Sequence, residues 1–190
     1  MADAELDARW ARDVRLLDGR SAHLRMAHAD DGERLRALHA RLSKETVYFR
    51  YFSAKPRLSE RWIDVLTHVD PSRHVVLLAL EGDEVIGMAS YDRSGDTDSA
   101  EVAFLVDDAH QGHGLGTLLL HHLAAIARAH GIHVFIADTL LRNDAMLAVF
   151  RDSGLPSRRD LAHGVVHLTL AIDPVVAAPG SPDPTVPEVG

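Results

Sequence analysis

The stretch Gln111-Gly112-His113-Gly114-Leu115-Gly116-Thr117 lies between an apolar run, Val102 to Val106, and an amphipathic segment, Leu118 to His130. That order reads as a strand, a glycine-rich turn and a helix, and it constrains the fold more than any other part of the chain. Glycine at 112, 114 and 116 removes three side chains where a helix N-terminus offers unpaired backbone N–H groups. A phosphate can therefore approach the backbone closely and gain from the helix dipole. The turn is suited to gripping a pyrophosphate, and the identity of that pyrophosphate decides the function.

The pattern around the turn predicts an α/β fold. Asp13 to Leu17 and Ser21 to Met26 flank Asp18-Gly19, a hairpin signal. From Asp30, Leu35, Leu38 and Leu42 recur at helical spacing, giving a helix that ends near Ser43; a second helix is expected over Lys44 to Phe52. A third, opened by Ser59, covers Glu60 to Thr67. His74 to Glu81, Glu84 to Arg93 and Ser99 to Val106 read as a meander of strands. The second half alternates: helix Leu115 to His130, strand His133 to Leu140, helix Asn143 to Ser153, strand Val165 to Ile172. Alternation of this kind implies neighbouring strands joined by helical crossovers. A single domain is expected over 1–172, with 173–190, rich in Pro, Gly, Ser and Val, as a disordered tail or linker stub.

Composition excludes several functions. A formal charge of −8 argues against a general nucleic-acid binder and favours cationic partners such as amines. With no Cys, the chain has no disulfide framework, thiolate nucleophile or thiolate metal site. The charged N-terminus, Met1 to Trp10, shows no secretory signal, and the longest apolar runs, Val75 to Leu80 and Val102 to Val106, are too short to span a bilayer. The expected location is the cytoplasm, with no membrane partner. No metal site is expected: the 13 histidines include the adjacent pair His121-His122, which point to different sides of a helix, and H-E-x-x-H is absent.

Phosphate-binding alternatives compete for the turn. A P-loop needs a lysine before the Ser or Thr, whereas Gly116 is followed directly by Thr117. The spacing Gly112-His113-Gly114-Leu115-Gly116 is also wrong for the G-x-G-x-x-G dinucleotide fingerprint. The blandest alternative, glycines that merely permit a strand-to-helix turn, explains one or two of them but not the surrounding pattern. Gln111 to Gly116 does match the Q/R-x-x-G-x-G/A signature, and so resembles the GCN5-related N-acetyltransferase (GNAT) family. Ala100 to Val106 looks like that family's fourth strand, and Asn143 to Gly154 is similar to its N-x-x-x-x-x-x-Y-x-x-x-G segment. The likeness runs from Leu24 to Leu170. Ser43 to Phe52 also resembles an S-x-x-S-x-Y-x-R-F-F segment of family members that acetylate lysines of acyl-CoA synthetases.

The resemblance implies a GNAT acyl-CoA N-acyltransferase fold, with a mixed, mostly antiparallel sheet splayed at the cofactor site and flanked by helices. It also implies a donor site. Backbone N–H groups from Gly112, His113, Gly114, Leu115, Gly116 and Thr117 would hold the pyrophosphate of acetyl-CoA, with Gln111 ordering the turn. The pantetheine arm would pair with Phe104, Leu105 and Val106 as an added strand does. Asn143 would reach that arm or the acetyl end, and the helix carrying Phe150 would flank the cofactor. His110, His113, Arg142 and Arg151 are solvated charges by default, with phosphate contact as the sharper alternative.

Acetyl transfer requires a neutral amine. A lysine of pKa about 10.4 is neutral only about once in 2,500 at pH 7, an equilibrium cost of about 4.6 kcal/mol. A carboxylate at the amine removes the proton, directly or through one water. Glu101 is the leading base: it interrupts an apolar strand, where an unpaired carboxylate is costly, and it matches the family's general-base glutamate. Its bland alternative is a strand-edge carboxylate that faces solvent or pairs with an arginine such as Arg93. Asp138 and Glu45 are lesser candidates, more readily read as a cap or surface charge.

Without Cys no acyl-enzyme is implied, and direct attack in a ternary complex suffices. The N–H of Leu105 or Val106 is the expected oxyanion donor on family grounds. Phe150 stands where many members carry a tyrosine able to protonate the leaving thiolate, so that acid is missing. Tyr48 is expected to shape the acceptor pocket, and Tyr91, with Ser90, to line it; packing is the alternative for all three.

The expected function is acetyl transfer from acetyl-CoA to an amine, preferably a protein lysine. A small-molecule amine acceptor and a non-catalytic acyl-CoA-binding regulatory module are the alternatives, and the chain is expected to be a monomer or homodimer.

Overall fold

The computed structural model describes residue 5, residues 8–52 and residues 58–173 of the 190-residue chain. The proposed tail from 174 onward and part of the N-terminal stretch lie outside the described residues. The hairpin is formed by β1 (Arg12–Arg15) and β2 (Ser21–Met26), turning at Gly19 with φ +89°. Three helices follow: α1 (Gly32–Arg41), α2 (Lys44–Tyr51) and α3 (Glu60–Thr67). Ser43 and Ser59 each cap their helix by accepting from the backbone N–H three residues on. The meander is β3 (His74–Glu81), β4 (Glu84–Arg93) and β5 (Ser99–Val106). After the glycine turn come α4 (Leu115–Ala129), β6 (Val134–Leu140), α5 (Asp144–Asp152), β7 (Ser157–Ala162) and β8 (Val165–Ala171).

All eight strands join one sheet, ordered β1-β2-β3-β4-β5-β6-β8-β7. Every pairing is antiparallel except β5 with β6, whose strands are joined by the α4 crossover. The expected second crossover is absent: β6 and β8 are neighbours but antiparallel, because β7 intervenes and pairs with β8. Sequence pattern missed β7 for a physical reason. All six of its residues are exposed, so it carries no alternation of apolar and polar positions, and its Arg158, Arg159 and Asp160 fit an edge strand that resists further pairing.

The sheet separates two apolar clusters. One face packs on α4 and α5, and includes Tyr91, Val102, Leu119, Leu123, Phe135 and Phe150. The other packs on α1 and α3, and includes Leu35, Leu38, Ile63, Leu78, Met88 and Leu105. Side chains alternate along β5, so Ala100 and Val102 enter the first cluster, while Glu101 points to the opposite face and is exposed. No helix among the described residues is long and apolar enough to cross a membrane.

Candidate active site

Strands β5 and β6 pair at only three positions, Ser99 with Val134, Ala100 with Phe135 and Glu101 with Ile136. Beyond that last rung they diverge. β5 continues to Val106 and β6 to Leu140 without pairing to each other, and a fork opens between them. Among the described residues, one edge of β5 from Val102 to Val106 is thereby left without a neighbouring strand, which suits a ligand that hydrogen-bonds in strand fashion. A cavity of about 910 Å³ occupies the region. It is lined by β5 from Glu101 to Val106, by the glycine turn, and by Asn143 and Phe150 of the α5 segment.

The glycine turn closes one end. Gly112 and Gly114 take φ values of +77° and +82°, the left-handed region that glycine enters without strain. Gly114 is the N-cap of α4 and supplies no side-chain acceptor; the first backbone bond is Leu118 N–H to the Gly114 carbonyl at 3.1 Å. The N–H groups of 112–117 find no acceptor among the described residues. Several aligned amides at a helix start form an anion site. Gln111 fixes the turn by donating from Nε2 to the Val106 carbonyl at 3.1 Å and to Thr46 Oγ1 at 3.2 Å.

Gly116 works differently from the phosphate-approach role expected of it. A Cβ there would stand 2.7 Å from Val149 Cγ2, so its missing side chain lets α5 close onto α4. Asn143 is the N-cap of α5, its Oδ1 accepting from Met146 N–H at 3.2 Å, which leaves its amide N–H groups available at the cavity. Phe150 is 2% exposed and meets Phe104 edge-to-face at 6.0 Å, forming the apolar wall.

Glu101 sits at the last rung before the fork, and Arg93 is not its partner. Arg93 donates instead to the carbonyls of Thr97, Ser72, His130 and Gly131. Glu101 is exposed on the sheet face away from α4, where it lines the cavity. Of the lesser candidates, Asp138 is engaged by His167 at 2.6 Å, and Glu45 is an exposed residue at the cavity rim.

Tyr91 is a correction. It projects to the α4 face, is fully buried beside Phe135, and its hydroxyl donates to the Pro71 carbonyl, so it does not line the cavity. Burial pushes its pKa up, in keeping with a neutral packed phenol. Ser90 is likewise buried and outside the cavity. Tyr48 lines a shallower neighbouring pocket of about 390 Å³ with Leu140, Leu141, Arg142, His163 and Gly164.

Sequence reasoning missed Arg50, which α2 projects into the cavity wall, with its guanidinium 5.1 Å from the Tyr51 ring centre. Arg142 packs over the rings of Tyr48 and Phe49 at 5.0 and 5.7 Å, spanning both pockets. The histidines beside the turn have protein partners, His110 with Glu81 at 3.3 Å and His113 with Asp18 at 3.5 Å; Arg151 pairs with Asp152. Asp108 ties α2 to the loop before the turn by accepting from Ser43 N–H, Ser43 Oγ and Thr46 Oγ1. Burial opposes ionisation of Asp108, and those bonds outweigh it, lowering its pKa.

The chain resembles known proteins in sequence and in fold. The model of the acetyltransferase (GNAT) family matches residues 35–155. Acetyltransferase Pat of Mycolicibacterium smegmatis is 33% identical over 174 residues, 90% of this chain and 51% of that protein, so the chain spans about half of that relative. The crystal structure of the GNAT domain of S. lividans PAT is 41% identical with a TM-score of 0.81, covering 86% of this chain and 98% of that one. An acetyltransferase from Salmonella typhimurium solved with acetyl-CoA shares the fold at 23% identity and a TM-score of 0.66, over 84% of this chain and 98% of its own. With the forked sheet, the unpaired amides of the turn and the family match in agreement, the chain belongs to the acetyltransferase (GNAT) family.

Proposed function

We propose that the protein transfers acetyl from acetyl-CoA to a protein lysine, by direct attack in a ternary complex, with Glu101 as general base. The observation that carries the base assignment is the position of Glu101 at the last rung of the fork. There the gap beside β5 meets the face covered by α2. A group at that rung reaches an amine approaching from the α2 side and is close to a thioester held along β5.

In this reading the amides of 112–117 bind the pyrophosphate, with Gln111 holding the turn in place. Asn143 offers its amide to the pantetheine arm, and Phe104 with Phe150 exclude water from the thioester. Glu101 takes the proton that an ammonium must lose before it can attack. The N–H of Leu105 or Val106 stabilises the negative charge that develops on the carbonyl oxygen. Thiolate departs without a tyrosine acid, since a thiol of pKa about 8.5 is a tolerable leaving group. The lysine acceptor is supported by α2, whose Ser43 to Phe52 carries the segment that resembles acetyltransferases of acyl-CoA synthetases, and by the likeness to the PAT GNAT domain.

Thiol release from acetyl-CoA, followed with lysine-containing acyl-CoA synthetase and with a panel of small amines, tests the proposal. Wild type should turn over the protein acceptor, and Glu101→Gln should lose about a hundred-fold or more in kcat. Undiminished turnover by Glu101→Gln would remove the base assignment. Preference for a small amine would replace the acceptor, and acetyl-CoA binding without turnover on any acceptor would leave an acyl-CoA sensor.

A further inference from the structure

Glu101 has an acidic neighbour. In the β4–β5 register Asp92 pairs directly with Glu101, and in the β3–β4 register His74 pairs with Asp92. Paired residues project to the same face, so the row His74, Asp92, Glu101 crosses three strands on the side away from α4. His74 Nδ1 and Asp92 Oδ1 are 2.6 Å apart, which occupies one side of Asp92. Like charges directly opposite across an antiparallel pair are destabilising, and the next residue in the row, Ile136, offers Glu101 no counter-charge.

The counter-charge comes from α2. α2 packs on β5, and Arg50 shares the cavity wall with Glu101, where the negative charges of Glu101 and Asp92 act on its guanidinium. Burial pushes the pKa of Arg50 down, while Tyr51, Glu101 and Asp92 act to raise it. Stacking against the Tyr51 ring holds the guanidinium in place. Neither carboxylate makes a direct ion pair with it among the described residues, so its influence is exerted through space across the cavity wall. A partly buried cation without a contact partner is costly unless nearby negative charge compensates it.

We infer that Arg50 is a positioning residue: by offsetting the like charges of Asp92 and Glu101, it keeps the Glu101 carboxylate directed at the acceptor amine. This rests on the reading of Glu101 as the base. Removing the guanidinium leaves the two carboxylates to repel each other, and because His74 holds Asp92, it is Glu101 that turns away. Acetyl-CoA binds at the fork and the glycine turn, which Arg50 does not build.

The test measures kcat and KM for acetyl-CoA in wild type, Arg50→Met, Arg50→Lys, Asp92→Asn and the Arg50→Met/Asp92→Asn double variant, with Glu101→Gln as reference. Arg50→Met should lose about ten- to a hundred-fold in kcat, the size of effect expected from misplacing a catalytic group, with KM for acetyl-CoA within about threefold of wild type. Arg50→Lys should retain most of kcat. The decisive result is rescue: adding Asp92→Asn to Arg50→Met removes the repulsion and should recover at least about fivefold in kcat, which loss of packing alone would not allow. Unchanged kcat in Arg50→Met, or no rescue by Asp92→Asn, overturns the inference while the base assignment stands. Full turnover by Glu101→Gln removes the base assignment instead, and this inference with it.

Discussion

Gly116 offers a direct test of how the donor site is built, through the pair of substitutions Gly116→Ala and Val149→Ala. A methyl at 116 would stand 2.7 Å from Val149 Cγ2, where carbon atoms at their optimum separation are about 3.5–4.0 Å apart, so about 1 Å must be found. Valine in a helix is held close to one χ1 rotamer, so Cγ2 cannot swing aside and α5 must shift as a body. Overpacking of this kind costs about 1–3 kcal/mol. Alanine replacing glycine in a helix returns up to about 1 kcal/mol. The single variant is therefore expected to lose about 0–2 kcal/mol, too wide a range to interpret alone.

The cycle isolates the clash. With Val149→Ala in place, Gly116→Ala should be neutral or stabilising, giving a coupling energy of about 1–3 kcal/mol by urea unfolding at constant m-value. Acetyl-CoA affinity provides a second readout. α5 carries Asn143 at its N-cap and Phe150 in the cavity wall, so the single variant should raise Kd and the double variant should restore it. Additivity within about 0.5 kcal/mol, with no change in Kd, would refute the view that this glycine exists to let α5 approach.

Other consequences are open to measurement. Phe150→Tyr places a hydroxyl at a site 2% exposed; unless it finds a partner, stability should fall by about 1–3 kcal/mol. Its kcat should stay within about threefold of wild type, and a tenfold rise would show that leaving-group protonation limits turnover. Asp31 is fully buried and accepts from Arg25 at 2.6 and 2.7 Å and from His28 N–H at 2.8 Å. Burial raises its pKa, but these bonds and the Arg25 and Arg34 charges outweigh burial and leave the value lowered. A lowered carboxylate contributes stability that is fully present above the ordinary value of about 3.9 and is lost as pH falls through the folded value. Asp31→Asn should cost about 3–5 kcal/mol at pH 7, and the gap from wild type should narrow as pH falls below the ordinary carboxylate value of about 3.9 in urea titrations. A constant gap across that range would place the loss in packing rather than charge.

Most of the architecture was legible because it is written in local periodicity. The strand limits from His74 to Val106 follow from turn dipeptides and apolar runs, and the structure keeps them as expected. The anion-binding turn was legible from three glycines, although only Gly112 and Gly114 use positive φ, and Gly116 serves helix packing. β7 was invisible because an edge strand exposed on both faces carries no alternation. Tyr91 was misassigned to the acceptor site because a strand residue's face depends on register with its neighbours, and β4 turns it toward Phe135. Arg50 was missed for a related reason: its place beside Glu101 is created by the docking of α2 on β5, a contact between segments about fifty residues apart.

The short pairing of β5 with β6 has a mechanical consequence. Three rungs and the α4 crossover form a seam between one half of the sheet, β1 to β5, and the other, β6, β8 and β7. Glu101 and Ile136 are the final stitch of that seam. Any motion that unpicks the seam by one rung widens the gap beside β5 and displaces Glu101 in the same movement. The width of the fork and the placing of Glu101 thus share a single degree of freedom at residues 101 and 136, and a substitution there that alters one will alter the other.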